Sequence, residues 1–474
     1  MKTIILPLLL LIGTGISHAQ NLVSVTFLEN STISSLDLFP QVVPDYDVDY
    51  YKIVYTTTDV DGNSTIASGG LAVPLNTPCD SLPIGVYQHG TSLNKEEVPS
   101  RNNGEAIIAK LMSSKGFVTC APDYLGMGDS PGLHPYVHAE SEATAALDMI
   151  RAVRLFLSDS LSIVDNGEVV ITGYSQGGHA AMATHKYVED NNLLAEFNIV
   201  ASAPASGPYD LSGDQSELLL SNDPYTNPGY VVYLLSSFEL AYGNIYTTYS
   251  DILKSPYDAV VPPYFDGNNT TYGMGDLNPL LPTQLSDLIQ DSVLTNFLND
   301  TLNHPLWIAL RDNDNHNWVP TRPVQMFYCT NDEQVDFNNA LTAESYMNSN
   351  GATDVTSMDM GALDHGNCVL PALSTALAWM SSKVNSCAVL NTLELETLGI
   401  SIYPNPTDHQ MHIDGLQPGT EVRVLDAAGK QVHQTSTQDL TLTINTTDWD
   451  AGWYVVQIED ALGRMQVRKL AIAH

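Results

Sequence analysis

Residues 173–177, with the sequence GYSQG, place a serine between two glycines in the spacing G-x-S-x-G. The apolar run EVVIT precedes this motif, and the helix-forming run QGGHAAMATHKYVED overlaps its end. A turn from strand to helix within so few residues strains the backbone of the central serine, and glycine avoids the clashes of a flanking Cβ. The pattern predicts that Ser175 is a nucleophile at a helix start. The next amide, of Gln176, would then face an oxyanion formed there.

A serine hydroxyl needs a base, and in proteins with this motif an acid and a histidine follow the serine along the chain. The strand-like run VQMFYCTND ends at Asp332, so its carboxylate is expected at the C-terminal edge of a strand. Between Asp332 and the C-terminal tail, the remaining histidine is His365, in ALDHGNC. These positions predict a catalytic triad of Ser175, Asp332 and His365. Asp336 is the alternative acid.

A second oxyanion donor is expected in the loop after the strand-like run at 84–88. His89, Gly90 and Thr91 follow that run, and we predict the Thr91 amide as the donor, with Gly90 allowing the backbone to approach. His89 precedes the nucleophile in the chain and is expected to pack or hydrogen-bond within its own loop. His179, one turn along the helix after the nucleophile, is expected to pack in the core.

The chain has five cysteines, so at least one is free or is paired outside the chain. Cys120 and Cys329 lie in strand-like runs and are expected to be small core residues. Cys368 and Cys387 bracket one helix-like stretch and form the predicted disulfide. No Cys-x-x-Cys motif occurs, and DNDNH at 312–316 lacks the glycine and the terminal glutamate of a calcium loop. We therefore expect no metal and no organic cofactor.

The elements around these residues alternate between strand-like and helix-like runs up to residue 206, which is typical of an α/β fold with a mostly parallel, doubly wound sheet. Residues from about 208 to 320 break the alternation and predict an inserted, largely helical cap. The sheet resumes at 322–332. Residues 399–474 contain short alternating strands and predict a separate small β-sandwich, joined to the catalytic domain (20–388) by a linker at 389–398.

Residues 1–19 have the features of a signal peptide: a basic Lys2, an apolar stretch too short to span a bilayer, and small residues at the cleavage position. The protein is therefore expected to be exported, and no later run is apolar enough to form a transmembrane segment. A formal net charge of −36 argues against nucleic acid as a partner and against electrostatic binding to anionic lipid.

Residues from about 45 to 388 resemble the α/β-hydrolases of the secretory lipase and esterase group. The resemblance is carried by SGGLAVP, YQHGT, APDYLGMGDSPGLHPY, GYSQGGHAA, TNDEQVDF and DHGN, in this order along the chain. It implies an α/β-hydrolase fold, and it assigns the nucleophile, acid and base of the group to Ser175, Asp332 and His365.

The tail from about residue 399 resembles the C-terminal sorting domain of type IX secretion in Bacteroidetes. The matching segments are YPNPT, VLDAAGKQV, AGWYVVQI and the final RKLAI. This resemblance implies that the type IX secretion machinery is a partner and that the protein is secreted or held at the cell surface after passing through the periplasm.

Together these patterns predict a secreted serine hydrolase that cleaves a small-molecule ester or a lipid through an acyl-enzyme. A secreted serine peptidase of the same fold is one alternative, but the chain has no β-propeller repeat and its insert is helical. A catalytically inactive surface binding protein is another alternative. The presence of serine, acid and histidine in the expected order argues against it.

Overall fold

The computed structural model describes residues 21–38, 41–161, 163–221, 223–385, 400–426, 430–460 and 465–473. The predicted signal peptide and the predicted linker lie outside these residues. The chain divides into two compact units, Met1–Cys387 and Ala388–His474. Each unit is described by itself.

The first unit is built on a nine-stranded sheet with the strand order β1-β2-β3-β5-β4-β6-β7-β8-β9. Strands β1, β2, β3 and β5 pair antiparallel, and the pairs from β5-β4 through β8-β9 are parallel. The strands are Leu22–Ser31, Val48–Thr58, Ser64–Pro74, Ser81–Gln88, Val118–Pro122, Val164–Tyr174, Ile199–Ala205, Val324–Tyr328 and Val355–Asp359. The predicted mostly parallel sheet is confirmed.

Helices connect these strands and cover both faces of the sheet. In chain order, α1 to α15 are Ile33–Leu36, Ala106–Ser113, Ala139–Ser160, Gln176–Asp190, Leu194–Phe197, Asp214–Leu220, Pro228–Tyr242, Tyr249–Ile252, Tyr257–Val260, Met274–Leu277, Leu285–Leu288, Asp291–Asn299, Pro305–Asp312, Asn338–Ser349 and His365–Ser381. Short 3₁₀-helices span Pro99–Arg101, Pro262–Tyr264 and Asn278–Leu280.

The core lies on the two faces of the central strands. On β6, Val169 and Ile171 belong to a buried apolar cluster with α3 and α4, whereas Val170 belongs to a second cluster with α2 and α15. This alternation follows from the two-residue period of a strand. Because both faces are covered, the apolar run of β6 carries the nucleophile motif into the centre of the unit.

The segment between β7 and β8 leaves the sheet and forms the predicted helical cap. Its described part contains the helices α6 to α13, several of them a single turn long. Its own apolar cluster includes Tyr233, Phe238, Phe297 and Trp307, all of them buried. The rings of Phe297 and Trp307 stack with centroids 4.4 Å apart. The many Pro, Asn and Gly residues account for the short helices, because they end helical runs.

The second unit consists of two antiparallel sheets, β10-β11-β14 and β13-β12-β15-β16. Its strands β10 to β16 are Ser401–Tyr403, Gln410–Asp414, Thr420–Leu425, Gln431–Thr437, Thr441–Asn445, Gly452–Glu459 and Met465–Ile472. Alternate residues such as Val422, Val424, Val456 and Ile458 are buried in one cluster with Met411 and Ile413. This arrangement agrees with the predicted small β-sandwich.

Candidate active site

The nucleophile motif forms a sharp turn between the central strand and the helix that follows it. Strand β6 ends at Tyr174 and α4 begins at Gln176, so Ser175 alone makes the connection, with φ 60° and ψ −121°. A Cβ on Gly173 would lie 2.1 Å from the Gly177 carbonyl oxygen, and a Cβ on Gly177 would lie 1.9 Å from the carbonyl oxygen of Gln88. Both flanking glycines are therefore required by close backbone contacts.

The three predicted triad residues are in hydrogen-bond contact. His365 Nε2 is 2.9 Å from Ser175 Oγ. His365 Nδ1 is 2.7 Å from Asp332 Oδ2 and 2.9 Å from Oδ1. A proton on Nδ1 is donated to the carboxylate, and this tautomer leaves the Nε2 lone pair facing the serine hydroxyl. The arrangement is that of a general base with its orienting acid.

Several backbone contacts hold the acid and the base. Asp332 Oδ1 accepts hydrogen bonds from the amides of Gln334 (3.0 Å) and Val335 (2.9 Å), and 1% of its side chain is exposed. His365 is the first residue of α15, where the phenol of Tyr174 donates to its carbonyl oxygen at 2.6 Å. Tyr174, the residue before Ser175, thus helps to position His365 through this hydrogen bond.

The alternative acid, Asp336, has a different environment. Its Oδ1 accepts a hydrogen bond from the amide of Asn338 at 2.9 Å, at the start of α14. The structure places Asp332, rather than Asp336, against the imidazole of His365. The Asp336 carboxylate thus makes a local backbone contact at the start of α14.

The predicted disulfide is wrong, because Cys368 pairs with Cys329 and not with Cys387. The Cα atoms of Cys329 and Cys368 are 6.1 Å apart, and 39 residues separate them in the chain. Cys329 directly follows β8 and Cys368 lies in the first turn of α15, which packs against that strand. Cys329 is buried in the core, as expected, but it is part of this disulfide. Cys120 is free and buried, as predicted, and Cys79 is also disulfide-bonded.

The two predicted oxyanion donors lie on neighbouring segments. A Cβ placed on Gly90 would be 3.5 Å from the carbonyl oxygen of Tyr174. A Cβ placed on Gly177 would be 2.8 Å from the carbonyl oxygen of His89. The loop that contains Thr91 therefore packs against the turn that contains the nucleophile. Neither the Thr91 amide nor the Gln176 amide has a hydrogen-bond acceptor among the described residues.

The two histidines that we expected to be structural have polar contacts. His89 lies within hydrogen-bond distance of the Gly90 carbonyl (2.7 Å) and the Asp123 carbonyl (3.3 Å), inside and beside its own loop. His179 is fully buried, but in a polar setting: Nδ1 is 2.7 Å from Glu142 Oε2 and Nε2 is 3.0 Å from the Asn313 carbonyl.

Glu142 was not among the site residues that we predicted from the sequence. Its position in the run ESEATAALDM resembles the solvated face of an amphipathic helix. No residue near it in the sequence identifies a buried partner, since that partner comes from another helix.

The DNDNH segment is brought together with the start of the cap. Ligating atoms of Asp210, Asp314 and His316 lie within 4.8 Å of one another. Asp314 accepts from both the amide and the hydroxyl of Ser212, and His316 Nδ1 is 3.4 Å from Asp210 Oδ1. These contacts join the segment that enters the cap to the segment that leaves it.

A cavity extends from Ser175 and Gln176 into the cap. Its walls are mostly apolar and are lined by Leu211, Leu219, Leu220, Tyr225, Val231, Leu234, Leu235, Phe297, Leu306 and Leu310, among others. Burial raises the pKa of Tyr230, another lining residue, to about 12, so its phenol stays neutral. A neutral cavity with mostly apolar walls suits a hydrocarbon chain.

Comparison with known families identifies two segments of the chain. The sequence pattern of the secretory lipases matches residues 100–195, and that of the secretion system C-terminal sorting domain matches residues 401–473. A comparison with curated protein sequences finds no match.

Three solved structures illustrate the likeness of fold. The rice cell wall degrading esterase LipA from Xanthomonas oryzae is 28% identical, with a TM-score of 0.69 over 77% of this chain and 99% of that one. A putative hydrolase from Legionella pneumophila is 25% identical, with a TM-score of 0.70 over 76% and 98% of the two chains. Lipase A of Candida antarctica is 16% identical, with a TM-score of 0.57 over 78% and 84%, and shows the fold alone.

These matches confirm the predicted α/β-hydrolase fold and the resemblance to secretory lipases and esterases. They also confirm the tail as a sorting domain, which indicates export through type IX secretion to the cell surface or the extracellular space. In the part of the chain that the structure describes, no helix is both long enough and apolar enough to cross a membrane.

Proposed function

We propose that this exported carboxylic-ester hydrolase cleaves its substrate through an acyl-enzyme on Ser175, with His365 as general base and acid and Asp332 as the acid that orients it. The observation that carries this proposal is the hydrogen-bonded chain of the three side chains. It runs 2.9 Å from Ser175 Oγ to His365 Nε2 and 2.7 Å from His365 Nδ1 to Asp332 Oδ2.

In the first step, His365 takes the proton of the Ser175 hydroxyl while the oxygen attacks the acyl carbon. The imidazolium that forms is stabilised by the buried carboxylate of Asp332. Collapse of the tetrahedral intermediate breaks the ester bond, and His365 gives its proton to the leaving alcohol. Water then attacks the acyl-enzyme by the same route and releases the carboxylic acid.

The amides of Thr91 and Gln176 stabilise the negative oxygen of the tetrahedral intermediate. Both lack an acceptor among the described residues, so each is free to donate to this oxygen. A donor of this kind contributes about 3 kcal/mol to transition-state stabilisation. No step of this reaction needs a metal or an organic cofactor.

The cap cavity provides the acyl site, and we expect esters of short- to medium-chain acids as substrates. The walls are apolar and the buried tyrosines are neutral, which favours a hydrocarbon chain over the charged terminus of a peptide. The likeness to an esterase that degrades rice cell walls supports an ester substrate.

The two units have separate tasks in this proposal. Residues 20–388 carry out the reaction, the signal peptide at 1–19 directs the first export step, and residues 399–474 are recognised by the type IX secretion machinery. The linker at 389–398 joins the two. The sorting domain contributes no residue to the reaction.

A panel of p-nitrophenyl esters of increasing acyl length, assayed beside peptide p-nitroanilides, tests the function. We expect turnover of the short and medium esters and little turnover of the anilides. Robust anilide hydrolysis with negligible turnover of every ester would support the serine peptidase instead. No turnover of either substrate by the folded protein would support an inactive binding protein.

A further inference from the structure

A buried carboxylate lies directly behind the residue that follows the nucleophile. Glu142 belongs to α3, and its side chain is 0% exposed. Its Oε1 accepts a hydrogen bond from the side-chain amide of Gln176 at 2.8 Å, and its Oε2 lies 2.7 Å from His179 Nδ1. A charge removed from water in this way is costly unless a partner neutralises it.

The contacts of His179 show how many protons the pair holds. Its Nε2 is 3.0 Å from the carbonyl oxygen of Asn313, which can only accept, so Nε2 carries a proton. Nδ1 and Glu142 Oε2, at 2.7 Å, must then share a second proton, because two lone pairs would repel at this distance. Whichever atom holds that proton, Glu142 and His179 together carry no net charge.

His134 supplies the other contact of the Gln176 side chain. Burial lowers the pKa of His134 to about 3, so its ring is neutral. Its Nδ1 is 2.8 Å from the Leu125 carbonyl oxygen and donates to it, which leaves Nε2 as an acceptor. Gln176 Nε2 is 2.7 Å from this nitrogen. Both amide hydrogens of Gln176 are therefore used, one by Glu142 and one by His134.

We propose that Glu142, His179 and His134 are positioning residues that fix Gln176 at the oxyanion hole, and that the Glu142–His179 pair must be neutral for the oxyanion to form beside it. This inference rests on the proposed function, in which the Gln176 amide binds the oxyanion. An unneutralised carboxylate in contact with the Gln176 side chain would raise the energy of a transition state whose negative charge develops at the Gln176 amide, because the interior has a low dielectric constant.

Burial keeps several other titratable groups around Glu142 neutral at the pH of an assay. Tyr124 stacks on His134 and has a pKa well above its ordinary value because it is buried, and burial also raises the pKa of Tyr136. Burial lowers the pKa of His138, at the start of α3, to about 4. His89 lies on the other face of Tyr124 and is the same in every variant compared below.

The test compares the pH profiles of kcat/KM for His179→Gln, Glu142→Gln and the double variant. In His179→Gln the carboxylic acid loses its proton partner and ionises as the pH rises. We expect kcat/KM to fall about tenfold or more between mildly acidic and alkaline pH, where the wild type keeps its activity. The double variant removes the charge and should recover the alkaline activity that His179→Gln loses.

The matched control is His185→Gln, since His185 is also a buried histidine of α4 that faces a glutamate, at 3.1 Å from Glu189. It should lower the melting temperature and leave the shape of the pH profile unchanged. If His179→Gln does not fold, Gln176→Glu is tested in its place. Gln176→Glu adds a second carboxylate without changing the side-chain volume, so this variant should also lose activity as the pH rises.

Three outcomes would overturn the inference: a wild-type profile in His179→Gln, no recovery in the double variant, or the same pH-dependent loss in His185→Gln. The proposed function fails separately, if Ser175→Ala keeps its activity. These outcomes are distinguishable, because the variants of His179, Glu142 and His185 all retain Ser175, whose reaction with a phosphonate can be followed directly.

Discussion

Cys329 and Cys368 are joined by a disulfide that brackets the acid and the base. Cys329 lies three residues before Asp332, and Cys368 lies three residues after His365. The crosslink therefore connects the end of β8 to the first turn of α15, the two places from which these side chains project. Its position suggests that it holds the acid loop and the histidine helix together.

The first prediction concerns this crosslink. Replacing both cysteines by serine should lower the free energy of unfolding by up to about 4 kcal/mol, because the loop that the bond closes becomes unconstrained in the unfolded chain. kcat should also fall, since the acid and the base lose a shared anchor. Urea unfolding and ester kinetics measure the two effects.

Non-reducing peptide mapping should show the Cys329–Cys368 link. Cys120→Ser is the control, because Cys120 is a free, buried thiol on β5. It should leave kcat unchanged. A double variant as active and as stable as the wild type would show that the crosslink has no role.

The second prediction separates the two candidate acids. Asp332→Asn should lower kcat by about 10⁴-fold, because an amide cannot hold the His365 imidazole in the reactive tautomer or stabilise its cation. Asp336→Asn should have a small effect, since the Asp336 carboxylate accepts from the Asn338 amide, whereas His365 contacts Asp332. Steady-state kinetics on one ester decide between them, and a larger loss in Asp336→Asn would refute the assignment of the acid.

The third prediction concerns the glycine after the nucleophile. Gly177→Ala should destabilise the protein severely, because the new Cβ would lie 1.9 Å from the Gln88 carbonyl oxygen, a backbone atom of β4. Gly275→Ala is the matched control, as a helical glycine of the cap with no atom within 4 Å of its Cβ. It should be neutral or slightly stabilising. Thermal unfolding of both variants provides the comparison, and equal melting temperatures would contradict the contact.

The fourth prediction tests the acyl cavity. Leu234 lines the cavity from α7, so Leu234→Trp should shorten it and reduce turnover of longer acyl esters more than that of acetate esters. Leu240→Trp is the control on the same helix, because Leu240 is 41% exposed to solvent and is not part of the lining. A length profile unchanged in Leu234→Trp would place the acyl chain elsewhere.

Local patterns were sufficient to predict much of this architecture. The strand–turn–helix context of GYSQG predicts the elbow, and the alternation of strand-like and helix-like runs along the chain predicts the parallel sheet around it. The dipeptide Asp61-Gly62, a common hairpin signal, lies in the turn between the antiparallel strands β2 and β3. His365 and Asp332 could be proposed because the order of the three residues along the chain is itself informative.

Long-range contacts could not be predicted in the same way. The partner of Cys368 depends on how α15 packs against β8, which the spacing of cysteines does not reveal. Glu142 has the sequence environment of an exposed helical residue, and it is buried because α4 and the loop with His134 cover it. The edge strands β1 and β9 were also not predicted.

The most direct test of the central claim is the reaction of the protein with a fluorophosphonate, mapped by mass spectrometry and paired with the ester kinetics of Ser175→Ala. We expect a single adduct on Ser175, and a loss of several orders of magnitude in kcat for Ser175→Ala, which should remain folded. Labelling at another serine, together with full ester hydrolysis by Ser175→Ala, would contradict it.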